Sequence, residues 1–393
     1  MSKDVKAVEL DTVRDITDKT RELLESIGLW GKADAWTPAM MWHLAKGENS
    51  DGIKMRDQIC FEQVILATKR MVPERMMDLM NEYICALDRE SRDHLKDAME
   101  YATLYNQKEV LRKIIERNRN DVHLEEWLMV YSLLLEVLEG NLSYKGIINK
   151  SRDLVGHVFD TVLKTRLELL EVYAYERLGY TEKATSLIDH LPEKFLRIQQ
   201  GFTKSVLASR AALSMANCLL FVKGDSERAH QQYLSAVKND SPSEVMLAYV
   251  NHGLGLSTLF FEDGRCLQYI RKAISHAKQA GLTEYAEMLE REDYPFIRNV
   301  QGEKFDLTGV VQEEKIHQYI VRGNSEEALR LIEEVEKQGK DSAFLTYYKG
   351  KATKDKFTLA RALERFEVES KLHLLPLVKR EIGIPFKKEE DVS

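Results

Sequence analysis

Three times in this chain an apolar run stops at a glycine, a polar pair follows, and an alanine opens the next amphipathic run. The copies are Leu178-Gly179-Tyr180-Thr181-Glu182-Lys183-Ala184, Lys223-Gly224-Asp225-Ser226-Glu227-Arg228-Ala229 and Arg322-Gly323-Asn324-Ser325-Glu326-Glu327-Ala328. A degenerate fourth reads Asp263-Gly264-Arg265-Cys266-Leu267. Glycine takes the left-handed position that ends one helix, Asp or Ser caps the next, and alanine lets the two approach closely. Any helical hairpin accepts such a turn. Its repetition is what constrains the fold.

Stacked hairpins of this kind predict an all-α chain built as a tetratricopeptide-like right-handed superhelix, whose concave face usually holds a peptide or another protein. The steps from Gly179 to Gly224 (45 residues) and from Gly224 to Gly264 (40) exceed the roughly 34-residue standard unit, so the array is divergent. Composition agrees, because only 7 Pro and 20 Gly in 393 residues interrupt the backbone ladder. Apolar residues recur three and four apart in Val110–Ile115 and Leu128–Leu135, and no alternating strand or hairpin signal is convincing.

A net charge of −7 excludes a globally basic nucleic-acid coat, though not a local DNA-reading head. No apolar run approaches the roughly 20 residues of a membrane span, and the start lacks a signal peptide's apolar core, which predicts a cytoplasmic protein with no membrane partner. Cys60, Cys85, Cys218 and Cys266 form no CxxC pair and sit among apolar neighbours, so buried free thiols and no metal site are expected.

Residues 1–75 read differently. A short amphipathic helix over Thr20–Leu29 is followed by a turn and then by Thr37-Pro38-Ala39-Met40-Met41-Trp42-His43-Leu44-Ala45-Lys46-Gly47. Thr37 is placed to cap this second helix, Pro38 to start it and Gly47 to close it. With a further helix from about Ile53, the pattern fits a helix-turn-helix whose 37–46 helix enters the major groove through Thr37, Met41 and Lys46. Seven basic against six acidic residues over 32–75 make no basic stripe. A plain helical cap on the solenoid fits the same residues.

Enzymatic constellations are missing. His123-Leu124-Glu125-Glu126 has no second His, Gly253-Leu254-Gly255 lies in a helical run with no preceding strand, and no Gly-x-Ser-x-Gly elbow occurs. No enzyme and no cofactor are predicted, and the scattered His, such as His317 and His373, read as core or surface residues. Two polar residues on otherwise apolar inner helices stand out instead. Asn217 offers two donors and an acceptor suited to a peptide backbone, or to a bond between helices. Glu369 suits a ligand guanidinium, or is a solvated carboxylate.

Three stretches carry a family resemblance: Tyr83-Ile84-Cys85-Ala86-Leu87-Asp88 running to Ala98-Met99-Glu100-Tyr101-Ala102, Phe296-Ile297-Arg298-Asn299-Val300, and Tyr347-Tyr348-Lys349-Gly350-Lys351 running to Leu375-Pro376-Leu377. With the overall layout they resemble the AimR family, the arbitrium peptide receptors of Bacillus temperate phages, within the RRNPP group of quorum-sensing regulators. The resemblance spans about residues 20 to 383. It implies a homodimeric transcription factor that controls the phage lysis-lysogeny decision, with a helix-turn-helix over 1–75 and a peptide-binding, dimerising superhelix over 76–393. Its partners would be a double-stranded DNA operator and a six-residue peptide ending Arg-Gly-Ala that alters DNA binding.

Carried over by position, the resemblance implies peptide contacts at Asn217, Leu259 and Phe296, with Glu369 near the place of the family's shorter acid. Two family asparagines are replaced, by Leu256 and by Phe221, which puts the peptide sequence in doubt. Leu374, Leu375 and Leu377 are candidates for the dimer contact or for the core of a capping helix. The competing reading from another class is an interaction protein of the wider group that regulates a partner protein, with residues 1–75 as a docking bundle.

Overall fold

The computed structural model describes residues 21–22, 24–26, 29–48, 59–238, 242–261 and 264–384. Every regular element among them is helical. The repeated turn explains why. Gly179, Gly224, Gly264 and Gly323 all have φ between 64 and 79°, the left-handed region where a side chain would strain the backbone. Asp225 then accepts from the Arg228 N–H at 2.9 Å and Asn324 from the Glu327 N–H at 3.2 Å, capping the helices that follow. Ala184, Ala229 and Ala328 are fully buried, as is Cys266 in the degenerate copy.

The chain divides into two compact units. The first comprises residues 1–179 and 189–208, the second 180–188, 209–238 and 242–393. In the first, Pro38–Ala45 packs on Met76–Ala86, so the expected boundary at 75/76 is no gap in packing. The helices Arg92–Leu104, Lys108–Asn118, Glu125–Leu138, Tyr144–Val155 and Thr161–Arg177 follow, each against its neighbour. In the second unit, Glu244–Ser257 lies on Arg265–Gln279, where Gly255 leaves room for the backbone at Cys266 and Ile270, while Gly253 leaves room for the Tyr233 ring, and the Gly-x-Gly pair is indeed a packing device.

Two expectations need correction. Cys60 and Cys85 are exposed; only Cys218 and Cys266 are buried. The run Phe202–Val222 is long and apolar enough to cross a membrane by length and composition, although Ala216, Leu219 and Leu220 are buried in the core of the second unit. The helix expected from about Ile53 falls on residues 49–58, which lie outside those described; the next described helix is Phe61–Met71.

The start of the Phe202–Asn217 helix is held by a partly buried acid. Asp97 accepts from the Thr203 hydroxyl at 2.5 Å and from its N–H at 3.3 Å. Burial pushes its pKa up to about 6, against the Thr203 bonds, which lower it. A raised folded pKa gives stability that is full at low pH and is lost as pH rises from about 4 through about 6. Asp97→Asn should therefore match wild type near pH 3.5 and gain up to about 2 kcal/mol over it by pH 7. Paired urea melts across that range would show the gap widening. A gap constant with pH would refute the assignment.

Candidate functional site

The short helix Pro38–Ala45 is built as its sequence dictates. The Thr37 hydroxyl accepts from the Met40 N–H at 3.3 Å, Pro38 occupies the first turn, and Gly47 follows at φ 68°. Of the three DNA-facing candidates, Thr37 and Lys46 lie at least partly at the surface, and Lys46 pairs with Asp88 at 3.6 Å. Met41 does not. It is fully buried beside Met40 and Leu44, because the apolar face of an eight-residue helix must turn inward. The outward position is taken by its neighbour Trp42, 47% exposed and edge-on to His43.

In the second unit two π-helical segments organise the polar side chains. The helix carrying Asn217 continues into a π segment over Cys218–Val222. A second π segment, Leu289–Asp293, precedes Tyr294–Val300. Pro295 gives a physical cause for the second: it has no N–H for the Arg291 carbonyl and its ring crowds that group. The freed carbonyl accepts instead from the Val311 N–H at 3.2 Å. Such bulges recur at functional sites, where they redirect side chains.

Asn217 is half-buried, and its Oδ1 accepts from the Tyr233 hydroxyl at 2.8 Å. Leu259 and Phe296 are both buried in the unit's hydrophobic core, Phe296 packing edge-on to Phe344. Glu369 is already committed: Oε1 accepts from the Ala343 N–H at 2.9 Å, Oε2 pairs with Lys371 at 2.8 Å, and Arg365 lies 3.7 Å away. It holds the first N–H of the Ala343–Thr353 helix, which Ser342 caps, and so is not a simply solvated acid.

Of the two readings of the Leu374–Leu377 stretch, the single chain shows the capping-helix core. Leu374 and Leu377 are core residues and Leu375 packs against them, because the short helix Leu375–Ile382 closes the core. The strongly exposed apolar side chains nearby are Phe357 and Val368, 87% and 85% exposed at the two ends of Lys356–Val368.

A polar group not anticipated from sequence lies in the same unit. The Tyr285 hydroxyl meets His252 Nδ1 at 2.8 Å, and His252 Nε2 is 3.3 Å from Asp293 Oδ2, at the end of the second π segment. The Leu372–Leu374 turn packs against the first π segment, setting His373 edge-on to Phe221 at 5.0 Å between ring centres. His373 is buried and its Nδ1 has no hydrogen-bond partner. Burial, with the nearby charge of Lys371, pushes its pKa down to about 3, so it is neutral at pH 7. The one sequence signal for this group was a proline inside a helical run. No cluster of metal-ligating side chains occurs among the described residues.

An array of helical hairpins with a capped short helix near its start is the architecture of a helical-repeat protein. Residues 76–382 match the family described as AimR transcriptional regulator-like, and the chain belongs to that family of transcriptional regulators. The AimR transcriptional regulator of Bacillus phage phi3T is 26% identical over 333 residues, covering 80% of this chain and 83% of that protein. A solved structure of selenomethionine phAimR has the same fold, with a TM-score of 0.65 at 20% identity over 82% of this chain and 84% of its own. A structure of phAimR with ligand gives 0.59 at 21% identity over 80% and 94%.

Proposed function

We propose that this chain is a peptide-responsive DNA-binding regulator of a phage lysis-lysogeny decision, acting in the cytoplasm of the bacterial host. Membership of the AimR family over residues 76–382 carries the reading. The ligand-bound relative among similar structures supports a small-ligand site within the helical array. Residues 1–75 act as the helix-turn-helix head, reading a double-stranded operator through the Pro38–Ala45 helix with Thr37 and Lys46 at its ends. Residues 76–393 bind the peptide and join two copies.

The ligand is a short peptide, six residues ending Arg-Gly-Ala in the form that the resemblance implies, with Asn217 among its contacts. With Leu374 and Leu377 in the core, the homodimer contact falls to exposed apolar side chains such as Phe357 and Val368. Binding shifts the population between two arrangements of the dimer, and only by the peptide's differential affinity for them.

The test is selection from sheared DNA of the genome that encodes the chain. Full-length protein is expected to enrich one short region well above background at physiological salt. Uniform retention that vanishes with salt would mean non-specific charge binding, and would favour the reading in which a partner protein is the target.

A further inference from the structure

One helix belongs to both units. Phe202–Asn217 begins among the residues of the first unit and ends among those of the second. Its first turn is clasped within the first unit. The Thr203 hydroxyl and N–H both donate to Asp97, and the Phe202 ring packs on Phe61 at 5.5 Å between ring centres. Phe61 in turn meets Tyr83 of Met76–Ala86, the helix on which Pro38–Ala45 packs. A single helix thus stands between the clasp and the helix assigned to DNA.

The far end changes form. Asn217, assigned to the peptide, is the last residue before the π segment Cys218–Val222, where the Lys223 N–H bonds the Cys218 carbonyl five residues back at 3.1 Å. Pro295 accounts for the other π segment, but no proline stands in or beside this one. Contacts hold it instead: Tyr233 on the Asn217 amide, His373 edge-on to Phe221, and Leu372 against Gly224. A ligand that takes the Asn217 amide withdraws the first of them. Relaxing a π turn to the α form shifts the helix before it by one residue step, about 1.5 Å along its axis.

We propose that the Phe202–Val222 run carries the peptide signal to the DNA head, the π segment being the part that changes and the Phe202–Thr203 clasp the part that receives. The proposal rests on the reading of this chain as a peptide-responsive DNA-binding regulator, and names how its two sites are coupled. Coupling between distant sites requires an element with two arrangements that both ligands bias. Phe202 and Thr203 are positioning residues that touch neither ligand.

The probes are the DNA fragment that full-length protein selects and the tightest binder among hexapeptides of three randomised positions followed by Arg-Gly-Ala. Anisotropy gives the DNA affinity with and without saturating peptide, and calorimetry the peptide affinity with and without DNA. Wild type should show one coupling factor of about tenfold or more, equal in both directions. Thr203→Val removes the hydroxyl and Phe202→Leu the ring. Each should lower the factor by about threefold or more, while either ligand alone binds within about twofold of wild type. Thr165→Val loses another buried hydroxyl of the first unit, bonded to the Thr161 carbonyl, and should keep the factor. Hydrogen exchange on wild type should respond to the peptide at both 202–206 and 218–223.

A reduced factor in either clasp variant supports the relay. The wild-type factor in both would overturn it, as would an equal loss in Thr165→Val or an exchange response confined to 218–223. If no hexapeptide binds wild type, or bound peptide leaves its DNA affinity unaltered, the regulator reading falls and this inference with it. Failure of the relay alone has a different signature: a coupled wild type whose clasp variants stay coupled.

Discussion

Glu100→Ala is expected to destabilise the first unit by about 3–5 kcal/mol, because it leaves Arg166 as a buried charge with no counter-ion. Glu100 is fully buried. Its Oε2 accepts from Arg166 Nε at 3.0 Å and from the Tyr131 hydroxyl at 2.7 Å, with the Arg166 side chain only 7% exposed. The three residues come from Arg92–Leu104, Glu125–Leu138 and Thr161–Arg177, so one carboxylate ties together three successive layers of the stack. Glu100→Gln keeps an acceptor but loses the charge, and should cost less. All four tryptophans, Trp30, Trp36, Trp42 and Trp127, fall in this unit, so urea unfolding followed by tryptophan fluorescence reads it selectively. A loss under about 1 kcal/mol would mean that water reaches Arg166 and that the pair is not part of the core.

Gly253→Ala should be the most costly methyl group in the second unit. A Cβ there would stand 2.2 Å from Tyr233 Cζ and 2.3 Å from Cε1, inside a ring that is fully buried. The ring must move by more than an ångström, which breaks the Tyr233 bond to Asn217. Overpacking of about 1–3 kcal/mol and a lost hydrogen bond of about 1 kcal/mol outweigh the roughly 1 kcal/mol that alanine gains over glycine in a helix. The net loss is about 1–3 kcal/mol. Thermal melts followed by circular dichroism would measure it. Tyr233→Phe, which removes only the hydroxyl, separates the bond from the clash. An unchanged melting temperature in Gly253→Ala would contradict the packing described.

The parts legible in the sequence were those that local chemistry decides. The Gly-to-Ala turns, the Thr37-Pro38 helix start and the Gly253-Leu254-Gly255 packing stripe each follow from a backbone angle, a cap or a missing Cβ, and each is where the residues placed it. Burial direction was less legible. Met41 and Trp42 are adjacent and both large, and only the packing on Met76–Ala86 decides which of them turns inward. Leu374 and Leu377 read equally well as a dimer surface or as a core, and they close the core.

The polar group at Asp293 was the least legible. His252, Tyr285 and Asp293 share no sequence motif, and they meet at a π segment that periodicity does not reveal. Glu369 shows the converse: a single acid on an inner helix looked available, whereas the Ala343 N–H and Lys371 had already taken it.

The measurement that bears most directly on the function is the affinity of full-length protein for the DNA fragment it selects, followed by fluorescence anisotropy with and without the Arg-Gly-Ala peptide. The account predicts specific binding that the peptide changes by at least about tenfold. Specific DNA binding that saturating peptide leaves unaltered would contradict it.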